Sequence, residues 1–255
     1  MYMFKSLSLI FCLIGLLSCS RQDEISPFRQ SLQDRLMAYY PFDGDVLDVS
    51  PNKRHATLDK GVFTVDHLGK PKASLIFSSL QPTPAEAPAG LMKQTSTICF
   101  WAKKSDASVP FFILNNQFER QEKVAGITTS SQYGFSLGAV GTGQFYSLEL
   151  KLGVLSFFRM NIPFTPNLWE FYAIQFEEVK GISTTGSVTV YKNGVRLMQQ
   201  SMGPVLLNAL ESTGVNRLGG GFPKGILAEG AIDELGIWSR LLTEEEIMYL
   251  YKNGL

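Results

Sequence analysis

From Met37 onward the chain is dominated by short runs in which apolar and polar residues alternate, separated by turn-forming residues. A period of two places every second side chain on one face, so each run predicts a strand with a core side. Met37-Ala-Tyr-Tyr-Pro-Phe-Asp-Gly44 predicts a first strand ending in a turn, and Pro41, which cannot donate to a ladder, confines it to an edge or a strand end. Residues 45–56 are rich in turn formers and predict an irregular segment. Strands are predicted over residues 61–65, 73–77, 97–103, 111–114, 133–137, 145–152, 155–161 and 169–176. Residues 81–90, with three prolines, predict a loop, and so does the polar stretch that runs to Ser131. Ser187-Val-Thr-Val-Tyr-Lys-Asn-Gly-Val-Arg-Leu-Met198 predicts a hairpin, because Asn193-Gly194 supplies the positive φ angles of a tight reversal.

The last stretch organises the rest. Asp233, Leu235 and Ile237 share one parity, so a regular strand would aim the carboxylate to the same side as two core residues, where it needs a partner. Thr243 and Glu246 then form a capping box, Ile247, Leu250 and Tyr251 give a helix its apolar stripe, and Gly254 suits its stop. Helical periodicity is lacking elsewhere. About a dozen short strands with one terminal helix predict an all-β sandwich.

At 255 residues and 45% hydrophobic content, the chain can bury one large core. Lys+Arg and Asp+Glu both number 23, with no basic run interleaved with aromatics, so nucleic acid is excluded as a partner. Cys99 is the one cysteine outside the first 19 residues; one thiol and two loop histidines exclude a disulfide framework and a zinc site, and Cys99 is expected to be a buried, inert thiol. His55 and His67 fall in turn-rich loops and are expected to be solvated.

Residues 1–18 hold Lys5 and an apolar run from Leu7 to Leu17, too short to span about 30 Å of hydrocarbon, and read as a signal peptide. Leu16-Leu17-Ser18-Cys19 resembles the lipobox of bacterial lipoproteins, which implies acylation of Cys19 and a lipid-anchored tether over residues 19–36. Ser20 to Glu24 resembles the acidic signal that sends some bacterial lipoproteins to the cell surface. The implied address is the cell envelope, anchored to the outer membrane, with the acidic signal implying exposure at the surface and the membrane met through the lipid alone.

Five motifs in order resemble the laminin-G-like, or concanavalin A-like lectin and glucanase, domains. They are Tyr40-Pro-Phe-Asp-Gly44 with Asp48 to Asn52, Ile98-Cys-Phe-Trp-Ala-Lys103, Asn167-Leu-Trp-Glu-Phe-Tyr-Ala173, Val188 to Val195 and Ala231 to Ile247. The resemblance implies a domain over residues 37–255: a two-sheet antiparallel jelly-roll sandwich with a short C-terminal helix and with its first and last strands adjacent. It also implies a structural calcium near the chain ends, with Asp48, Asn52 and Asp233 as side-chain donors and the Gly230 carbonyl as a fourth. Pro51 stands where the family has Gly. The alternative for Asp233 is to accept backbone amides or to pair with Arg240.

Hydrolytic relatives on this fold carry Glu-x-Asp-x-x-Glu or Glu-x-Asp-x-Glu on one strand, and neither pattern occurs here. No Gly-x-Ser-x-Gly elbow occurs either, and Gly219-Gly-Gly221 reads as a tight turn. Phe118, Tyr133, Phe145 and Phe222 are aromatics expected in loops that could stack on a pyranose. The reading is a non-catalytic, lipid-anchored binding module for glycan. The alternatives are a structural or adhesive protein that binds other surface proteins, and a cryptic glycoside hydrolase.

Overall fold

A computed structural model describes residues 27–78, 84–105, 109–139, 143–153, 156–179, 185–211, 214–220 and 229–255. The signal peptide, Cys19, the acidic signal and Phe222 lie outside the described residues. The elements in chain order begin with helix α1 (Pro27–Ser31), then strands β1 (Leu36–Tyr40), β2 (Val62–Thr64), β3 (Ser74–Phe77), β4 (Ala85–Ala87) and β5 (Ser96–Lys103). β6 (Phe111–Asn115), β7 (Phe118–Val124), β8 (Ile127–Ala139), β9 (Phe145–Leu152) and β10 (Ser156–Pro163) follow. Next come β11 (Glu170–Val179), β12 (Thr185–Lys192), β13 (Val195–Met202), a 3₁₀ segment (Pro204–Glu211), β14 (Asn216–Leu218), β15 (Gly230–Trp238) and helix α2 (Glu244–Asn253).

Two antiparallel sheets face each other. One runs β13-β12-β11-β5-β15-β3-β2 with β1 also on β15, and the other runs β10-β9-β8-β6-β14-β4 with β7 on β8. Ile98, Phe100, Tyr172, Ile174 and Val190 from the first sheet and Phe135, Leu148 and Leu150 from the second meet in the core between them. The first and last strands are neighbours, with Ala38 opposite Ile237 and Tyr40 opposite Leu235. This is the predicted all-β, two-sheet sandwich.

The centre of the first sheet is covered on both faces, while its edge strands β13 and β2 stay open. Cys99, Trp101, Phe171, Ala173, Tyr191 and Trp238 form a second apolar layer on its outer side, closed by Leu242, Ile247 and Leu250 of the C-terminal segment. Hence β5 and β11 are buried at nearly every position, whereas β9, in the second sheet, alternates buried and open. Cys99 is 2% exposed, as expected, and burial drives its thiol pKa well up, with Glu246 adding to the effect.

Several expectations need correction. Residues 27–36, assigned to the tether, instead lie on the outer layer: Leu32 is fully buried, and its carbonyl accepts from Trp238 Nε1 at 2.7 Å. The polar stretch to Ser131 is not a loop but the β7–β8 hairpin, reversed at Ala125 (φ 51°) and Gly126 (φ 84°). Within the proline-rich residues 81–90, Ala85–Ala87 pairs with Asn216–Leu218. The parity of the last strand also breaks. Its register with β5 shifts between Asp233 and Gly236, where Glu234 sits at φ 47°. The bulge returns Ile232, Leu235 and Ile237 to the inner core and leaves Asp233 opposite Trp101, on the outer side.

Candidate functional site

The open face of the second sheet carries a groove of about 470 Å³. It is built in rows across strands. Gly138, Ser147 and Asn161 form one row, with Gly138 set against Phe112, and Ser136, Glu149 and Arg159 form the next. The inward residues of β9, Tyr146, Leu148 and Leu150, are buried in the core, so the odd positions must face the groove. Gly138 keeps the floor low, because a Cβ there would lie 2.7 Å from the Phe112 ring and 2.6 Å from the Phe111 carbonyl oxygen.

Charge and aromatic surface are ordered along this face. Arg159 donates to Glu149 Oε1 through Nε at 2.9 Å and Nη2 at 2.5 Å, and Lys151 Nζ lies 3.1 Å from Glu149 Oε2. Lys151 also donates to Gln132 at 2.8 Å. The guanidinium of Arg159 lies 5.1 Å from the centroid of Phe157, which is half exposed at 50%. Phe145 is 49% exposed six residues along β9 from Lys151, the partner of Phe157. At 3.3 Å per residue the two rings lie at opposite ends of a polar strip about 20 Å long. Two cations share one carboxylate here, and Ser136, Ser147 and Asn161 add neutral donors and acceptors.

Of the aromatics picked from sequence, Phe145 lines this groove. Phe118 and Tyr133 stack on each other at 5.6 Å on the β7–β8 hairpin, with the Tyr133 hydroxyl bonded to Glu122. Phe157 was missed, although its place opposite Lys151 follows from the alternation of β10 once the register is known.

The chain ends hold a second cluster. His67 Nδ1 lies 2.7 Å from Asp233 Oδ2, and the imidazole stacks on Trp101 at 4.1 Å and 14°. Asp66 Oδ1 accepts from the amides of Leu68 and Lys70, and Asp233 Oδ1 accepts from that of Glu234. Burial alone would lower the His67 pKa, but Asp233, Glu234 and Asp66 raise it above its ordinary value. Burial raises Asp233, with His67 opposing, and pushes Glu234 up to about 7. The expectation of a solvated His67 is therefore overturned, since its side chain is 8% exposed and paired. His55 also has a partner, its Nδ1 accepting from the Asp48 amide at 3.1 Å.

Two of the four expected calcium donors, Asp48 and Asn52, are engaged at the first strand. Asp48 accepts from the amides of Tyr39, Ser50 and Arg54 and from the Ser50 hydroxyl, on the edge of β1 away from β15. Asn52 donates its Nδ2 to the carbonyls of Leu36 and Met37. Gly230 stands three residues before Asp233 in β15. Asp48 and Asn52 instead pin the irregular segment to the first strand. Arg240, the other expected partner of Asp233, forks onto Glu246 at 2.7 and 2.8 Å.

The fold defines a class: two antiparallel sheets in a lectin-like sandwich, with one sheet face open. The chain belongs to the concanavalin A-like lectin/glucanases superfamily, whose model matches residues 82–248. No curated protein matches the sequence. Solved structures similar in fold include the binding domain of Paraclostridial Mosquitocidal Protein 1, at 16% identity and TM-score 0.59 over 86% of this chain and 52% of that one. Another is domain 4 of AbnA, a GH43 extracellular arabinanase from Geobacillus stearothermophilus, in complex with arabinotriose, at 18% identity and TM-score 0.59 over 85% of this chain and 98% of that one. A third is the binding domain of botulinum neurotoxin DC in complex with SialylT, at 13% identity and TM-score 0.58 over 88% of this chain and 52% of that one. This chain spans about half the length of the toxin domains it matches.

Proposed function

We propose that the chain is a non-catalytic glycan-binding module that seats an oligosaccharide along the open face of β8, β9 and β10. The observation that carries this reading is the polar strip bounded by the half-exposed rings of Phe145 and Phe157. A pyranose offers an apolar face to an aromatic ring and hydroxyls to amides, carboxylates and guanidinium groups, and this strip supplies both kinds of contact. The arabinotriose complex of the AbnA domain and the SialylT complex of the toxin domain support glycan as the ligand class. Hydrolysis by two carboxyl groups needs a pair of acids, and Glu149 is the one acid among the described lining residues, tied to two cations.

The leader supports attachment to the envelope through an acylated Cys19, which would hold the module at the outer membrane. Replacement of Cys19 by Ser should release the protein from membranes, and continued retention would refute lipidation. Binding itself is tested on a glycan array. Phe145→Ala and Arg159→Ala should each weaken any glycan bound by the wild type about 10-fold or more, which is about 1.4 kcal/mol, without lowering stability. An array with no positive glycan, or binding that survives both changes, overturns the reading.

A further inference from the structure

The residues that gather at the chain ends are not a calcium set. Asp66, His67 and Asp233 each bring a ligand atom to within 4.8 Å of the others. Calcium prefers oxygen ligands throughout, whereas one imidazole with two carboxylates suits zinc and its first-row neighbours. We propose that Asp66, His67 and Asp233 form a binding site for a divalent transition metal of the zinc class.

Three observations carry the assignment. First, the geometry needs little movement. Zinc bonds of about 2.1 Å in a tetrahedral arrangement set ligand atoms about 3.4 Å apart. The widest pair then closes by at most about 1.4 Å, and the 2.7 Å contact between His67 and Asp233 opens as the metal replaces the proton between them. Second, the surroundings hold the ligands in place. Trp101, 9% exposed, stacks on the imidazole, while the Leu68 and Lys70 amides fix Asp66 Oδ1. The Glu234 amide does the same for Asp233 Oδ1, and Asp233 Oδ2 faces His67 Nδ1. The indole Nε1 of Trp101 is itself buried with no acceptor among the described residues. Third, there is an entry path. Asp66 and His67 line a pocket of about 580 Å³, which also holds Lys103, Asn167, Trp169 and Glu229. With three protein ligands, the fourth position of a tetrahedral ion would face that pocket, as at sites that take an exogenous ligand.

Two points of sequence made this set hard to find. Asp66 and His67 lie in a turn, His67 being 166 residues from Asp233, and the bulge at Glu234 moves Asp233 off its expected face. Neither is legible in a local pattern.

The test is calorimetric titration of the metal-free protein with ZnCl₂ and with CaCl₂, with CoCl₂ added for its visible absorption. One zinc per chain, weak or no calcium binding, and the intense visible bands of four-coordinate cobalt are expected. His67→Gln should abolish these signals, and Asp66→Asn, which keeps the acceptor for Leu68 and Lys70, should weaken zinc by about 10-fold or more. Unchanged thermal unfolding of metal-free Asp66→Asn separates ligand loss from misfolding. Absence of zinc binding, calcium binding at this cluster in its place, or zinc binding unaffected by Asp66→Asn overturns the proposal.

Discussion

Replacement of Glu246 by Gln probes the joint that ties both chain ends to the sandwich. Glu246 is 4% exposed and takes the fork of Arg240, the Ser31 hydroxyl at 2.8 Å and the Thr243 amide at 2.9 Å. Arg240 also donates to the Ser31 and Asp34 carbonyls, so one ion pair holds α1, the turn after β15 and the cap of α2. Burial alone would raise the Glu246 pKa, but Arg240, Thr243 and Ser31 hold it down from 4.5 to about 2. At about 1.4 kcal/mol per decade, that difference contributes about 3 kcal/mol of stability. Because the folded pKa is the lower one, the contribution is complete above about 4.5 and is lost as pH falls toward 2. An amide cannot supply the charge and leaves the half-buried Arg240 with only the exposed Asp34 carboxylate, 3.6 Å away, a change that costs about 3 kcal/mol. Urea unfolding at pH 7 should therefore show the midpoint lowered by about 1 M, given a slope of about 3 kcal/mol per M. The wild type should lose its advantage over Glu246→Gln between pH 4.5 and 2. Equal midpoints at pH 7, or an advantage that persists at pH 2, would refute the reasoning.

Gly236→Ala places a Cβ 2.4 Å from the buried Trp238 ring, and should destabilise the chain by about 1–3 kcal/mol in thermal or urea unfolding. Gly194→Ala forces a side chain into φ 79° and into Met248, so it should lower stability by about 1 kcal/mol or more while leaving the groove on the other sheet, and hence its affinity, unchanged. In protein carrying Cys12→Ser and Cys19→Ser, Cys99 should stay silent to a thiol reagent until urea unfolds the chain, because its thiol is buried and its pKa is driven up. Full labelling of the native protein would contradict that.

Much of the fold was legible because its devices are local. Asn193-Gly194 sets the β12–β13 reversal through its two positive φ angles, and Thr243 with Glu246 caps α2 reciprocally. The adjacency of first and last strands followed from the ordered motifs. What failed was non-local. The near-continuous burial of Ser96–Lys103 reflects a second layer supplied by residues distant in sequence, from Leu32 at one end of the chain to Leu250 at the other, so a sequence read as alternating is buried on both faces. β4 and β14 have three residues each, too few for a periodic signal, and find each other through the sheet. β7 and the start of β8 are polar because their hairpin is exposed on both sides, which makes a strand look like a loop. The Ala125-Gly126 reversal was the available local signal. At the site, exposed aromatics could be nominated but not sorted: Phe145 borders the groove, while Phe118 and Tyr133 stack together on the hairpin.

The decisive measurement is backbone amide chemical-shift mapping of the folded chain during titration with the strongest glycan from the array. Saturable shifts should centre on Ser136, Ser147, Glu149, Arg159 and Asn161, with Phe145 and Phe157 at the ends, while the outer layer around Trp238 stays still. Shifts centred instead on Asp66, His67, Asn167 and Trp169, with the open sheet face unmoved, would contradict the placement of the binding surface.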